Sequence, residues 1–232
     1  MKLLILSTEF PPGPGGIGTH AMQLGAQLSA LGWEVTAATP QDYAPREEIE
    51  AFNARQPFRV VRLRHIPGPP FEALYRYLTV ARIIREWQPD VMLATGERSV
   101  WLAPYLARIR GTPWVAVGHG TEFGTPQRWR RALNEAAFGL ANVVVCPSEY
   151  TRSRMHAAGI QGRRERVIQN GADPGVFRLV PAKSEPRAMR TLLTVGNVTE
   201  RKGQEVVIRA LPSLPGVRYE MIGLPTRAAE LS

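Results

Sequence analysis

Residues 3–20 read LLILSTEFPPGPGGIGTH: an apolar run, a glycine-rich loop, and the entry into an amphipathic stretch that begins near Thr19. Leu3 to Leu6 is short, apolar and branched, the composition of a strand buried on both faces of a parallel sheet. Gly13, Gly15, Gly16 and Gly18 remove the side chains that would keep a ligand from the main chain. Met22, Leu24, Gln27, Leu28 and Leu31 then recur at helical spacing. The free amides of that helix N-terminus are expected to point into the loop, an arrangement that attracts phosphate.

Gly13 to Gly18 also fits G-x-G-x-x-G, the dinucleotide pattern of nicotinamide and flavin enzymes. That pattern needs its first glycine at the strand end and an acid closing the second strand. Here Glu9, Phe10, Pro11 and Pro12 intervene, and the second strand, Glu34 to Thr39, runs into Thr-Pro-Gln. The match is weak on both counts.

Outward from the loop, apolar runs alternate with helical patterns. Gln41 to Gln56 is polar and acidic and reads as a surface excursion. FRVVRLRH from Phe58 to His65 alternates apolar residues with arginine, a strand with one wet, basic face. Leu74 to Trp87 is helical, VMLAT from Val91 a strand, SVWLAPYLARIRG a helix, WVAVGHG a strand, RWRRALNEAAFGLAN a helix, VVVCPSE a strand, TRSRMHAAG a helix and RVIQNGAD a strand. Helices of this length between short strands force parallel pairing with right-handed crossovers. The prediction is an α/β fold, a Rossmann-like parallel sheet over residues 1–177, with its polar clusters at the carboxyl ends of the strands. Residues 178–190 read as a linker. TLLTVGNV from Thr191 opens a second glycine-marked unit, 191–232, with a helix capped by Thr199 and a strand at YEMIG. Two strands and a helix do not make an independent core, so this second domain is expected to be incomplete, its last residues starting a further helix.

Composition narrows the classes. Hydrophobic residues make up 44% of 232, enough for a core, and the net charge is +9. Lys2, Lys183 and Lys202 are the only lysines among 29 basic residues, so arginine carries the charge. That balance suits phosphate-bearing ligands, anionic membrane surfaces or nucleic acid, and does not choose among them. No RNA-binding signature, zinc finger or basic zipper is visible, so nucleic acid is not expected as a partner. The one cysteine, Cys146, lies in VVVCPSE and reads as a core residue; with no disulfide framework the chain suits a reducing, cytoplasmic compartment. No apolar run has transmembrane length, and no secretory leader is visible.

Four histidines, His20, His65, His119 and His156, are scattered without metal-ligand spacing, so no metal site is expected. Lys202 lies in the first turn of a predicted helix, where a cation is unfavourable unless an anion sits there too; a diphosphate would resolve the conflict, and a solvated lysine is the bland alternative. His119 lies between two glycines at a strand end, and Glu122, three residues on, is placed to orient or charge it. Arg76, Arg82 and Arg85 share a helix with Leu74, Tyr77, Leu78, Ile83, Ile84 and Trp87. That pattern suits either core packing, the preferred reading, or an interfacial helix on an anionic membrane.

The order EFPPGPGGIGTHA, HGTEF, PSEYTR, VIQNGAD, TVGNVTERKG resembles the retaining nucleotide-sugar glycosyltransferases of GT-B fold, family 4 type, over Met1 to about Gly223. The resemblance implies two facing Rossmann-like domains and transfer of a sugar from a UDP or GDP carrier to an acceptor hydroxyl, with retention, without a metal and without a cofactor, the nucleotide-sugar being a substrate. It implies that Gly15 and Gly16 lie near the donor diphosphate and acceptor, and that His119 lies beside the transferred sugar. Asn170 and Gly171 match the turn ending the first sheet, and Lys202, before Gly203, the lysine on the donor diphosphate. Glu122 and His20 fall on the acceptor side in supporting places. Asn197 stands where the family has an arginine, and Arg201 is the nearby substitute. The family's pair of glutamates would lie beyond Ser232, so this chain is expected to be impaired. Acceptors in the family are lipids or saccharides, pointing to cell-envelope or polysaccharide glycan synthesis at the inner face of the membrane. The alternative is a non-catalytic remnant that binds an anionic acceptor, a membrane surface or a partner chain.

Overall fold

A computed structural model describes residues 1–178 and 189–223. The expected linker lies mostly outside the described residues, and the helix start expected after Gly223 wholly so. The chain divides into two compact units, Met1–Ala172 and Asp173–Ser232.

In the first unit, seven parallel strands alternate with helices. The strands are β1 (Lys2–Ser7), β2 (Glu34–Thr39), β3 (Arg59–Arg62), β4 (Val91–Thr95), β5 (Trp114–Val117), β6 (Val143–Cys146) and β7 (Glu165–Val167). Their order in the sheet is β3-β2-β1-β4-β5-β6-β7. Leu3 stands between Val35 of β2 and Val91 of β4, so β1 is central, and the buried pattern of Leu3 to Leu6 follows from helices on both faces. Successive residues point to opposite faces. Leu3 and Ile5 pack with Phe10, Phe58 and Ala21; Leu4 and Leu6 pack with Val80, Val100, Leu106 and Phe138. Each such fully buried side chain is worth roughly 1.5–3 kcal/mol. Cys146 is buried in that second cluster, and its thiol is pushed up to about 11, by burial first and then by nearby Glu165 and Glu122. The neutral thiol is thereby favoured over the nucleophilic thiolate.

The helices are α1 (Gly16–Ala30), α2 (Arg46–Ala54), α3 (Pro69–Trp87), α4 (Glu97–Ala107), α5 (Arg128–Leu140) and α6 (Glu149–Ala157). Three expectations are corrected here. The first helix begins at Gly16, not near Thr19. The surface excursion at 41–56 contains α2, which buries Ile49 and has Glu47 and Glu48 in its first turn, where they complement the helix dipole. Beside it Gln41, 1% exposed, pairs amide to amide with Asn53 and donates to the Pro11 carbonyl at 2.6 Å. Finally, α3 starts at Pro69, since a proline in the first turn loses no intrahelical bond. Its second half packs into the core through Val80, Ala81, Ile83 and Ile84, yet Phe71, Leu74 and Leu78 in its first half are exposed. Core packing therefore accounts for only part of that stripe.

In the second unit β8 (Arg190–Val195) and β9 (Val217–Ile222) pair in parallel, Leu192 opposite Tyr219. The expected helix from Thr199 is corrected: Glu200–Lys202 form a 3₁₀ turn, Gly203 takes a left-handed conformation, and the helix proper, α7, spans Gln204–Ala210. Thr199 makes no side-chain cap.

Candidate functional site

The sheet order reverses between β1 and β4, because the chain leaves β1 for β2 on one side and returns to β4 on the other. Loops at the carboxyl ends of strands diverge at such a switch point and leave a crevice. A cavity of about 470 Å³ opens there, walled by Thr8 and Glu9 after β1, Glu97 and Arg98 after β4, and Thr121 and Glu122 after β5.

The glycine loop is arranged differently from expectation. Glu9 turns its carboxylate back on the start of α1, where Oε1 accepts from the Ile17 amide at 2.9 Å and the Gly18 amide at 3.2 Å. Two of the helix's first amides are thus satisfied by the protein's own anion, which also complements the dipole. A Cβ on Gly15 would lie 2.2 Å from Glu9 Oε1, and Gly15 has a positive φ of 153°. One on Gly18 would lie 2.8 Å from Phe10 Cα. Those two glycines make room for neighbouring protein atoms, whereas a Cβ on Gly16 meets open space within 4 Å.

His119 follows β5 and is held from three directions. Its Nε2 shares a 2.7 Å hydrogen bond with Thr95 Oγ1 at the end of β4. The His20 ring of α1 meets it edge to face, with centroids 5.3 Å apart and planes at 81°. Its backbone amide donates to Glu122 Oε1 at 2.7 Å. Glu122 therefore fixes the loop that carries His119 and does not bond the ring. Burial pushes both imidazoles below the ordinary histidine range, and the neighbouring His119 lowers His20 further. Burial pushes the Glu122 carboxyl up, opposed by the hydrogen bonds that it accepts. Both shifts favour the neutral imidazole, which has one donor and one acceptor nitrogen.

Support comes from residues not singled out in the sequence. Asn134 of α5, fully buried, donates to Glu97 Oε1 at 3.0 Å and to the Glu122 carbonyl at 2.9 Å, and accepts from Trp101 Nε1 at 2.6 Å. Glu97 also pairs with Arg130. Thr95 and Glu97 were within reach of sequence reasoning, since Thr95 ends the predicted strand VMLAT and Glu97 follows it after one glycine. Asn134 carries no signal within its helix. Asn170 and Gly171 follow β7 and are exposed, with no hydrogen bond to this network among the described residues. No three His, Cys, Asp or Glu side chains among the described residues converge on a metal-sized site.

In the second unit, a Cβ on Gly196 would lie 3.8 Å from Lys202 Nζ, so the ammonium stands at the carboxyl end of β8. Lys202 is exposed and has no ion pair among the described residues. Asn197 beside it is exposed, and its carbonyl accepts from Gln204 Nε2 at 3.0 Å. Arg201 occupies the same 3₁₀ turn as Lys202.

The profile of Glycosyltransferase Family 4 matches residues 14–176, a span that holds Gly15, Gly16, Gly18, His20, His119 and Glu122. The chain belongs to glycosyltransferase family 4. Among curated relatives of this family-4 chain, the GDP-mannose-dependent alpha-(1-6)-phosphatidylinositol monomannoside mannosyltransferase of Mycobacterium tuberculosis (strain H37Rv) is 29% identical over 234 residues, covering 92% of this chain and 57% of the relative. The enzyme of the same name from Mycolicibacterium smegmatis is 28% identical, covering 91% and 57%. This chain thus spans little more than half the length of those relatives. Among solved structures, Anabaena Alr3699/HepE in complex with UDP-glucose superposes with a TM-score of 0.73 at 18% identity, covering all of this chain and 63% of that one. Sucrose-phosphate synthase from Thermosynechococcus elongatus gives 0.74 at 16%, covering 95% and 61%. The α/β architecture is that of the GT-B glycosyltransferases.

Proposed function

We propose that this chain carries the acceptor-side unit and the donor-diphosphate lysine of an enzyme that moves a sugar from a nucleotide-sugar to an acceptor hydroxyl, with retention and without a metal ion. The observation that carries the reading is the fixed His119 ring. A neutral imidazole is locked by Thr95, His20 and the Glu122-bound loop at the strand ends where α/β sheets take their ligands. In this reading His119 hydrogen-bonds the transferred sugar. Gly16 lets donor and acceptor approach the main chain, with Gly15 shaping the same loop, and Asn170 and Gly171 form the supporting turn. Lys202, assisted by Arg201 and Asn197, stabilises negative charge on the departing diphosphate. A diphosphate oxygen then helps deprotonate the acceptor. The donors named for the relatives and the neighbouring structure, GDP-mannose and UDP-glucose, support a nucleotide-sugar here and leave the carrier base open.

The acceptor is lipid-borne or a saccharide of the cell envelope, reached from a membrane surface. Support comes from α3: Phe71, Leu74 and Leu78 are 67%, 54% and 54% exposed, spaced three and four apart on one face that continues into Arg82 and Arg85. Apolar residues backed by arginine suit an anionic bilayer. No helix among the described residues is long and apolar enough to cross one.

Sugar transfer from radiolabelled UDP- and GDP-sugars to lipid extracts and oligosaccharides, by this chain extended to the full length of its relatives, tests the reading. Transfer that drops about 10²-fold in His119→Ala, in line with the loss of a donor aimed at the reacting centre, is expected. Absence of both transfer and donor hydrolysis with every carrier overturns it.

A further inference from the structure

Thr95 ends β4 in the middle of the sheet, opposite Ser7 of β1 and Val117 of β5, and is fully buried. Its carbonyl accepts from the Thr8 amide at 3.2 Å, and a β-branched side chain is stiff about χ1, so the hydroxyl is held in one place. Among the described residues that hydroxyl has a single partner, His119 Nε2 at 2.7 Å.

The proton in this bond can belong to either group. If Nε2–H donates to Oγ1, the threonine keeps a proton of its own with no acceptor, at a site closed to water. A buried donor without an acceptor loses its hydration and gains nothing in return. If Thr95 donates to the Nε2 lone pair, one bond satisfies both groups. The neutral imidazole has a single N–H, so the second arrangement puts the ring proton on Nδ1. The bond made by one ring nitrogen thus fixes the role of the other.

Nδ1 is the open edge of the ring. It has no hydrogen bond among the described residues, yet it is not one of the buried atoms that lack a partner, so solvent or a ligand can reach it. Glu122 binds the backbone amide of His119 and leaves the ring alone. The neighbouring His20 is arranged in the opposite way. Its Nδ1 is buried without a partner, so its proton belongs on Nε2, where solvent can accept it.

We infer that Thr95 is a positioning residue: it donates to His119 Nε2, sets the ring proton on Nδ1, and makes His119 meet the transferred sugar as a hydrogen-bond donor and not as a base. The inference rests on the reading of His119 as the residue beside that sugar, and adds the nitrogen and its role. The one lone pair of the ring is spent on Thr95, which leaves deprotonation of the acceptor to the departing diphosphate.

Nitrogen-15 NMR of the chain at about pH 8, above the ordinary histidine range, reads the tautomer of each neutral ring with neither donor nor acceptor present. His119 is expected as the Nδ1–H form and His20 as the Nε2–H form. Thr95→Val keeps the side-chain shape and removes the hydroxyl, so the His119 Nε2 resonance should move to that of an unbonded ring nitrogen. Thr95→Ser should keep the wild-type position. In the chain extended to the full length of its relatives, Thr95→Val should lower kcat about tenfold or more with the donor KM within about twofold, and Thr95→Ser should restore most of the loss. His119 found as the Nε2–H form, or an Nε2 resonance unmoved by Thr95→Val, overturns the assignment. A moved resonance with unchanged kcat overturns the positioning role. Circular dichroism checks the fold; if Thr95→Val does not fold, the wild-type tautomer and the Thr95→Ser resonance decide. If the transferase reading alone is wrong, the tautomers and the resonance shift hold while no sugar is transferred.

Discussion

His20 and His119 stand edge to face with ring centroids 5.3 Å apart, one from the first helix and one from the loop after β5. Both are pushed below the ordinary value of 6.5, so the folded state resists protonation that the unfolded chain accepts. Above about pH 6.5 both states hold neutral rings and the stability is fully present; as pH falls below 6.5 toward the folded values, the unfolded state binds more protons and stability is lost. Glu122, pushed up by burial, acts in the opposite sense, weakening the fold as pH rises above 4.5 toward its folded value. With four histidines in the chain, ring-proton NMR can follow each one. Two are expected to titrate below 6.5, with urea stability falling between pH 7 and pH 5.5. Ordinary titration of all four contradicts the pairing.

Gly15→Ala is predicted to destabilise the first unit by about 1–3 kcal/mol, since the new methyl meets the Glu9 carboxylate and the backbone must hold a positive φ. Adding Glu9→Ala removes the clash but not the dihedral strain, so the double variant should recover part of the loss. Urea denaturation of the four chains gives the coupling, and strict additivity would mean that the two residues do not touch.

Lys202→Ala is predicted to weaken UDP or GDP binding about tenfold or more, since a charge-assisted hydrogen bond contributes roughly 1.5–3 kcal/mol. Calorimetry with the nucleotides alone measures this. Undiminished affinity would remove Lys202 from the donor site.

Replacing Phe71, Leu74 and Leu78 together by serine should leave thermal stability within about 0.5 kcal/mol, as expected for exposed positions. It should also abolish sedimentation with anionic vesicles. Reversing Arg82 and Arg85 to glutamate should lower vesicle binding and its salt sensitivity. Vesicle binding unaffected by either set places the membrane contact elsewhere.

Much of the architecture was readable from LLIL, VMLAT, WVAV and VVVC, because strands buried on both faces are necessarily short and apolar, and the helical spacing between them forces a parallel sheet. Helix α2 escaped notice because it buries little beyond Ile49. The break before α7 escaped because a glycine in a left-handed conformation resembles any other glycine in a sequence. Lys202 beside Gly196 spans six positions and was accessible to local reasoning.

The sequence by itself determined the layering, the parallel sheet and the strand ends where polar residues gather, since these depend on the period and length of apolar runs. Tertiary structure alone decided that Glu9 sits on the amides of α1, that Thr95 and His20 grip the His119 ring, and that Asn134 ties Glu97 to the Glu122 carbonyl. Each depends on side chains brought together from distant strands, with Thr95 and His119 twenty-four residues apart. Hydrogen-bond geometry and charge pairing are properties of positions in space, and no periodicity along the chain encodes them.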